Sequence, residues 1–463
     1  MQQATSLTLE QIERAIIGDA LTSDETYRNV VALCDDIGIR FGGSEGEHRA
    51  AGFLQGKMEE YGLVDVRVEE FAYTGWRRGP ASLQVVEPFR QAVTVIGLPY
   101  TPSADLTGEV VSVDQGEPED FARLTGQLAG KIVLCLAETT PPPGKKSSHR
   151  REKYLRAVEA GAVAFLYVSQ NAGQQLVTGS LAAAHPAEIP GVAVSMEDGA
   201  NLLRALRKGP VRTRLEVESS FPSVVSHNVL GDVPGRGSRH ILAGAHYDSH
   251  DIAVGAMDNA SGTAIALEVG RLLAPYKGRL GATVRIACFA GEEVGLLGSW
   301  EYTRRYAASL EDLAFVLNLD STARGRPGSE TLQLMGGVDL TDYFAGMASA
   351  MKYPLKVESR GSAYSDHFPF VVSGIPTGSL VCSERSANLV GRGWGHTASD
   401  TVDKVEQLPL QLSAMLAARI LLRIAEDGEW PGRRASEEEV RELLDREGLT
   451  EYLRRTGRFP FQP

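Results

Sequence analysis

Two adjacent glutamates, Glu292 and Glu293, stand in the stretch FAGEE, directly after the apolar run ATVRIAC. Neighbouring carboxylates repel each other, so this pair is unfavourable at the mouth of a buried strand unless it has a chemical role. One glutamate can bind a metal ion while its neighbour, which points elsewhere, stays free as a general base. The pair therefore suggests metal-assisted chemistry.

Other metal-binding residue types follow predicted strands in the same way. His246 follows HILAGA, Asp320 follows LAFVLNL, and His396 lies in a Gly-rich loop after TGSLVCSE. Asp258, in GAMDNASG, lies in the loop that opens a predicted helix. Ligands of parallel α/β sheets bind beyond the carboxyl ends of the strands. We therefore expect these side chains to converge at one edge of a sheet.

Imidazole and carboxylate ligands without cysteine suit zinc, with cobalt or manganese as substitutes. The set exceeds what one tetrahedral ion needs, and a carboxylate that bridges two ions would account for the surplus. Two such ions hold a water or hydroxide and polarise a carbonyl group. Asp248 can accept the remaining N–H of the His246 ring. His250 and His367 are local competitors for metal binding.

The segments around these residues predict an α/β fold with a mostly parallel central sheet, helices on both faces and an inserted, mainly β domain. Residues 1–74 would form the first part of the catalytic domain and residues 75–220 the insert. Residues 221–430 alternate strand and helix patterns and would complete the catalytic domain. Residues 431–463 would form a charged helical tail, capped by Ser436.

Bulk properties exclude several function classes. Nucleic-acid binding usually needs a basic face, and none is apparent in a chain with a net charge of −12. The one dense basic run, Lys145–Lys153, is interpreted as a solvated loop. The four dispersed cysteines predict free thiols, three of them in apolar runs. We find no signal peptide and no apolar stretch near the length of a membrane span, so we expect a cytoplasmic protein without a membrane partner.

A serine hydrolase is the rival interpretation. The stretch GGSEG, Gly42–Gly46, matches the G-x-S-x-G nucleophile motif and precedes a predicted helix. The preceding DDIGIRF, however, is a poor strand, and Ser44 with Glu47 already forms a helix capping box. The convergence of metal-binding residues therefore favours a metal hydrolase.

Six motifs, in order over residues 226 to about 410, resemble the zinc-dependent M28 metallopeptidases: HYDS, GAMDNASGTAIALE, FAGEEVGLLGS, LNLDS, YSDHFPF and GHTASDTVDKV. That family includes aminopeptidases and carboxypeptidase Q-like dipeptidases. The insert resembles the protease-associated (PA) domain in LAGKIVLCL, AVEAGAVAFLYV and IPGVAVSMEDGANLL. Its expected role is to cover or shape the cleft.

The M28 resemblance implies a role for each of the residues after the strands. His246 and Asp320 would bind one zinc ion, Glu293 and His396 a second, Asp258 would bridge both, Glu292 would be the general base, and Asp248 would orient His246. Tyr364 and His367 are candidates for contacting the substrate oxyanion. The resemblance also implies a cis peptide between Asp258 and Asn259.

The implied function is a co-catalytic di-zinc exopeptidase, an aminopeptidase or a dipeptidase, in which metal-bound hydroxide attacks the peptide bond. A glutaminyl-cyclase-like transferase needs only one zinc ion, so the complete five-ligand set disfavours it. A non-catalytic receptor-like module would have lost ligands, and none is missing. A peptide or dipeptide is the expected substrate, and a homodimer is compatible with the sequence.

Overall fold

The computed structural model describes residues 7–139, 147–382 and 393–461, which form two eight-stranded sheets and their helices. The helices are α1 Leu9–Thr22, α2 Glu25–Val31, α3 Glu45–Glu60, α4 Pro118–Arg123, α5 Arg150–Glu159, α6 Met196–Leu206, α7 Ser261–Leu273, α8 Leu297–Arg305, α9 Thr341–Met351, α10 Phe368–Val372, α11 Gln407–Glu426, α12 Glu437–Arg446 and α13 Thr450–Arg455.

The strands are β1 Val64–Thr74, β2 Arg77–Glu87, β3 Gln91–Val93, β4 Val95–Gly97, β5 Ala104–Ser112, β6 Ile132–Leu136, β7 Ala164–Val168, β8 Gly191–Val194, β9 Arg212–Ser220, β10 Ser223–Val233, β11 His240–His246, β12 Thr283–Phe289, β13 Leu313–Asn318, β14 Glu330–Met335, β15 Lys356–Ser359 and β16 Thr377–Cys382.

The first sheet has the strand order β1-β10-β12-β11-β13-β16-β14-β15, and its central strands β12, β11, β13 and β16 are parallel. Alternate residues of β11 face opposite layers. Ile241 and Ala243 belong to the apolar core that includes α1, α7 and α11. Leu242 packs on the other side with Tyr302 of α8 and Phe370 of α10. The predicted α/β fold with helices on both faces is confirmed.

The second sheet has the order β3-β2-β9-β5-β6-β7-β8-β4 and lies within the predicted insert. Its outer strands pair antiparallel, whereas β5, β6, β7 and β8 run parallel to one another. Helices α4, α5 and α6 belong to the same stretch of chain. The described residues of the insert are therefore rich in strands but also form three helices.

The basic run near residue 150 is not a solvated loop. Helix α5 begins at Arg150, and the side chains of Arg150, Arg151 and Lys153 are 7%, 8% and 0% exposed. The Lys153 ammonium donates a hydrogen bond to the carbonyl oxygen of Leu136 at 2.9 Å. Backbone carbonyls from distant segments make this burial tolerable, and a local charge pattern does not reveal them. Residues 145 and 146 lie outside the described ranges.

Helix α11 is long and apolar enough, by length and composition, to cross a membrane, although the sequence suggested no such stretch. Its most apolar window is 83% buried inside the protein. Ala414, Leu416 and Leu421 of this helix belong to the main apolar core. The apolar character of α11 is therefore explained by its place in that core.

Two helix starts follow the predicted capping residues. Ser44 precedes α3 and accepts a hydrogen bond from the backbone N–H of Glu47 at 3.2 Å. Ser436 precedes α12 and forms a capping box with Glu439. Ser44 thus ends a loop as a helix cap, which removes the structural basis for a serine nucleophile at this position.

The charged tail contacts both the catalytic part and the insert. Leu443 and Tyr452 join an apolar cluster with Leu296 of the catalytic part. Arg455 forms an ion pair with Glu159 at the end of α5 in the insert. The tail therefore connects the two sheet domains.

The four cysteines are free thiols, as predicted. Cys34, Cys135 and Cys288 are buried, and burial raises the pKa of the Cys288 thiol to about 12. A thiol with so high a pKa stays protonated at neutral pH and is a poor metal ligand or nucleophile.

Arg40 is fully buried between the opening helices and the loop that follows β11. Its guanidinium donates to the carbonyl oxygens of Tyr247 at 2.7 Å, Val254 at 2.7 Å and Gly255 at 3.1 Å. It also donates to Leu33 O at 2.9 Å. One cation therefore holds the α2–α3 region against the loop between two predicted metal ligands.

We predict that Arg40→Met lowers the free energy of unfolding by about 3–5 kcal/mol, because several buried carbonyls lose their donor. Urea unfolding followed by circular dichroism measures this change. Arg49→Ala is the control, because Arg49 is exposed and bonds only Asp36 O among the described contacts. Equal stability of the two variants would contradict the role given to Arg40.

Candidate metal centre

Three adjacent parallel strands place the predicted metal-binding residues at one edge of the first sheet. His246 is the last residue of β11, which pairs with β12 on one side and β13 on the other. Glu292 and Glu293 follow the end of β12, and Asp320 follows the end of β13. The convergence expected from the sequence is therefore present.

Asp258 reaches the same edge from the loop before α7. The expected cis peptide joins Asp258 to Asn259. The Asn259 side chain donates to Leu319 O at 2.9 Å and accepts from the backbone N–H groups of Gly262 and Ser321, each at 3.0 Å. These bonds fix the Asp258 loop against the end of β13.

A first group of ligand atoms consists of His246, Asp258 and Asp320. The His246 Nε2 atom lies 3.4 Å from Asp258 Oδ1 and 3.8 Å from Asp320 Oδ1. This nitrogen is buried and makes no well-formed hydrogen bond to any described residue. A buried imidazole nitrogen that faces two carboxylate oxygens without a bond is suited to a cation.

A second group of ligand atoms lies on the other side of Asp258. The His396 Nε2 atom is 3.4 Å from Asp258 Oδ2 and 3.3 Å from Glu293 Oε2. Tetrahedral zinc has ligand bonds of about 2.0–2.1 Å, so its ligand atoms stand roughly 3.3 Å apart. The spacing of both groups fits this geometry, and Asp258 offers one oxygen to each.

His250 joins the second group. Its Nε2 atom lies 2.8 Å from Glu293 Oε2, and its ring centroid is 4.4 Å from that of His396. Neither His250 ring nitrogen has a well-formed hydrogen bond to any described residue. The sequence ranked His250 only as a competitor for metal, whereas the structure places it beside two of the predicted ligands.

The two predicted substrate contacts differ in position. Tyr364 lines the cavity in front of the ligand groups, and its ring stacks on that of His149 with centroids 3.8 Å apart. His367 is buried with Nδ1 3.3 Å from Ser379 Oγ, and it is not among the described residues that line the cavity. Burial lowers the pKa of His367 to about 4. Of the two, only Tyr364 faces the cavity.

Asp248 supports more than the ring of His246. The Nδ1 atom of His246 lies 3.2 Å from the backbone oxygen of Asp248 and 3.5 Å from its carboxylate. That carboxylate also accepts the backbone N–H groups of Glu292 at 3.1 Å and Glu293 at 3.2 Å. Asp248 therefore orients both glutamates, which the sequence did not suggest.

Two supporting residues were not predicted. The Asp400 carboxylate accepts the backbone N–H groups of Met257 at 2.8 Å and Asp258 at 3.0 Å. The Ser365 hydroxyl donates to Asp320 Oδ2 at 2.7 Å. Both residues lie within quoted motifs, GHTASDTVDKV and YSDHFPF. Their proximity in sequence to other candidate residues could have marked them as site residues. Their hydrogen-bond partners could not be predicted, because those contacts form only in the folded chain.

Negative charge dominates this edge of the sheet. Burial raises the pKa of Glu292 well above its ordinary value, and the charge of Glu293 adds to this effect while the His246 ring opposes it. Burial also raises the pKa of Glu293, to about 7. Burial acts on Asp258 in the same direction, but the rings of His246 and His396 hold its pKa well below the ordinary value. Divalent cations would relieve this concentration of carboxylates.

A cavity of about 280 Å³ opens in front of both ligand groups. Its walls come from the catalytic part and from the insert. The catalytic wall includes Asp258, Glu292, Glu293, Asp320, Tyr364 and His396, and the insert wall includes His149, Arg150, Arg151 and Ser180. The insert therefore shapes the cleft, as expected for it.

Comparisons with known proteins match two parts of the chain to known families. Residues 228–421 match the family model of peptidase family M28, and residues 106–202 match that of the PA domain. The chain is 24% identical over 439 residues to carboxypeptidase Q of Mus musculus, and the match covers 86% of this chain and 91% of that protein.

Two solved structures share the fold over most of the chain. The Shewanella amazonensis SB2B peptidase M28 precursor has a TM-score of 0.78 at 24% identity, covering 92% of this chain and 99% of that one. A zinc aminopeptidase from Bacillus subtilis has a TM-score of 0.68 at 22% identity, covering 90% and 98%. Residues 228–421 therefore form a peptidase family M28 domain, a PA domain is inserted in the α/β fold, and the protein is a metallopeptidase.

Proposed function

We propose that this metallopeptidase is a di-zinc exopeptidase that acts on short peptides as an aminopeptidase or a dipeptidase. The observation that carries the proposal is the position of Asp258, whose two carboxylate oxygens each lie 3.4 Å from a different imidazole nitrogen. A single carboxylate between two complete ligand groups is the arrangement that a two-metal hydrolase needs.

The proposed ligands follow from the two groups. His246 and Asp320 would hold one zinc ion with Asp258. His396 and Glu293 would hold the other, and Asp258 would reach it through its second oxygen, which lies 3.4 Å from His396 Nε2. The similar structure from Bacillus subtilis is a zinc aminopeptidase, which supports zinc as the metal. Cobalt or manganese would suit the same ligands.

When bound, the zinc ions would polarise the scissile carbonyl and lower the pKa of a water molecule. Glu292 lines the cavity and belongs to neither ligand group, so its carboxylate is free to accept the proton of that water. It would then donate the proton to the nitrogen of the leaving amine. Asp248 holds the backbone of Glu292, which keeps the base in place during both transfers.

Tyr364 is the proposed donor to the carbonyl oxygen of the substrate. Its ring lines the cavity, and burial raises the pKa of its hydroxyl, which therefore stays protonated. The hydroxyl makes no well-formed hydrogen bond to any described residue, although the Glu152 carboxylate is near enough to raise its pKa further. A buried donor in this state is suited to the charge that develops on the carbonyl oxygen.

The alternatives fit the geometry less well. A glutaminyl-cyclase-like transferase would use one metal ion, which leaves a second complete ligand group unexplained. A receptor-like module without catalysis would not need Glu292 beside the ligand groups. The two ligand groups and a separate glutamate together favour hydrolysis.

We expect the zinc-loaded protein to release amino acids from unblocked short peptides. A mass-spectrometric time course would compare one dipeptide and one pentapeptide, each with a free or an acetylated N-terminus, with and without a chelator. Stepwise loss from free N-termini indicates an aminopeptidase, and cleavage of the dipeptide alone indicates a dipeptidase. Unchanged peptides with zinc, cobalt and manganese would contradict the proposed function.

Glu292→Gln should keep its full metal content and lose turnover by about 10²–10⁴-fold, because glutamine cannot accept a proton. Elemental analysis and peptide hydrolysis measure the two effects separately. Glu301→Gln is the matched control, because Glu301 pairs with Arg304 on α8 outside the cavity lining. Wild-type turnover in Glu292→Gln would remove Glu292 from the mechanism.

Asp400→Asn should weaken zinc binding by about 10–100-fold, because an amide cannot accept the N–H groups of both Met257 and Asp258. Competition with a chromophoric chelator measures the affinity. Asp403→Asn serves as the control, since the Asp403 carboxylate is exposed and bonds Thr401 and Lys404. An Asp400→Asn protein with native zinc affinity would show that this support is dispensable.

A further inference from the structure

The wall of the cavity that comes from the insert is cationic. His149, Arg150 and Arg151, at the start of α5, line the same cavity as Glu292 and Asp258. We propose that this wall, which we call the arginine wall, binds a carboxylate of the substrate residue on the leaving side of the scissile bond. The proposal rests on the proposed peptidase function and names the substrate class that the site prefers.

The arginine wall is held in place by the chain segment around residue 180. Arg150 Nε and Arg151 Nε each donate to Ser180 O at 3.3 Å, and Arg151 also donates to Ser180 Oγ. Gly179 makes this approach possible, because a Cβ at that position would collide with the Arg150 guanidinium. The guanidinium groups are therefore fixed before a ligand arrives, which reduces the entropic cost of binding.

The positive charge of Arg151 lacks a carboxylate counterpart. Among the described residues, no carboxylate lies within ion-pair distance of Arg151, whose own bonds go to uncharged oxygens. Another guanidinium, that of Arg458, donates to Gly295 O at the cavity wall. Burial and the nearby charge of Arg151 lower the pKa of Arg458 to about 10. Buried cations in such a cluster are stabilised by an anion.

The opposite wall does not supply that anion when zinc is bound. With zinc bound, the carboxylates of Asp258, Glu293, Asp320 and Glu292 would carry at most four negative charges, which two divalent cations would balance. The start of the ten-residue helix α5 adds positive potential through its dipole. The loaded cavity therefore has a net attraction for an anionic group at the arginine wall.

The size of the cavity limits the source of the carboxylate. A volume of about 280 Å³ lies just below the range of about 300–1,000 Å³ for small-molecule sites, so a short peptide fits best. Its scissile carbonyl would lie at the metal ligands, and one residue farther its chain would end at the arginine wall. Either the free α-carboxylate of that last residue or an acidic side chain can supply the charge, and the experiment separates these sources.

The test measures binding to zinc-loaded Glu292→Gln by calorimetry, so that hydrolysis does not interfere. The three probes are Ala-Leu, Ala-Leu amide and Ala-Glu amide. We expect Ala-Leu to bind about 30-fold more tightly than Ala-Leu amide, the effect of one charge-assisted pair. If Ala-Glu amide binds as tightly as Ala-Leu, the wall accepts a side-chain carboxylate as well.

Arg151→Gln in the same background should abolish the preference for Ala-Leu over Ala-Leu amide, because only the free carboxylate of Ala-Leu pairs with the guanidinium charge. The affinity for Ala-Leu amide should stay within about twofold. Arg151→Lys, which keeps the charge, should retain part of the preference. Arg156→Gln is the matched control on α5, because Arg156 bonds Gly116 O and Ser148 Oγ and does not line the cavity. It should bind all three probes as the parent does.

Equal affinity for Ala-Leu and its amide, equal loss of both in Arg151→Gln, or no binding of any probe would overturn the arginine wall as a carboxylate site. The proposed peptidase function fails by a different result, namely no hydrolysis of any peptide by the zinc-loaded wild-type protein. Because the binding assay uses an inactive variant, each result is read independently of the other.

Discussion

Repulsion among carboxylates at the ends of three buried strands is the constraint on which the rest of this structure depends. Asp258, Glu292, Glu293 and Asp320 converge where β11, β12 and β13 end. Groups outside the cluster hold these residues. Asp248 accepts the backbone N–H groups of Glu292 and Glu293, Asp400 accepts that of Asp258, and Ser365 donates to the Asp320 carboxylate. Arg40 ties the loop after β11 to the opening helices. The sheet brings the carboxylates together, and these hydrogen bonds hold their loops in place against the repulsion between the charges.

The insert completes the cleft with charge of the opposite sign. Arg150 and Arg151 line the same cavity as the carboxylates, at the start of a helix whose other end pairs with the C-terminal tail through Glu159 and Arg455. The tail thereby connects the catalytic part to the wall that we propose to recognise the substrate. In this arrangement the first sheet carries the candidate metal ligands, and the insert contributes cationic residues to the lining of the cleft.

Much of the catalytic edge could be predicted from sequence, because continuous apolar runs mark buried parallel strands and the residues after them meet at one edge. The position of Asp400 could not, since its bonds to Met257 and Asp258 join segments more than one hundred residues apart. Which of His250 and His367 lies beside the metal ligands depends on the direction of each ring, and sequence spacing does not determine that direction. The burial of Arg151 depends on carbonyls near Ser180, so a local count of charges suggested a solvated loop instead.

The most direct test of the two-metal account is anomalous diffraction at the zinc edge from crystals of the zinc-loaded protein. The account predicts two anomalous peaks about 3.5–4 Å apart, one on each side of the Asp258 carboxylate. One peak would be in contact with His246 and the other with His396. A single peak at full zinc loading, or two peaks that do not share Asp258, would contradict it.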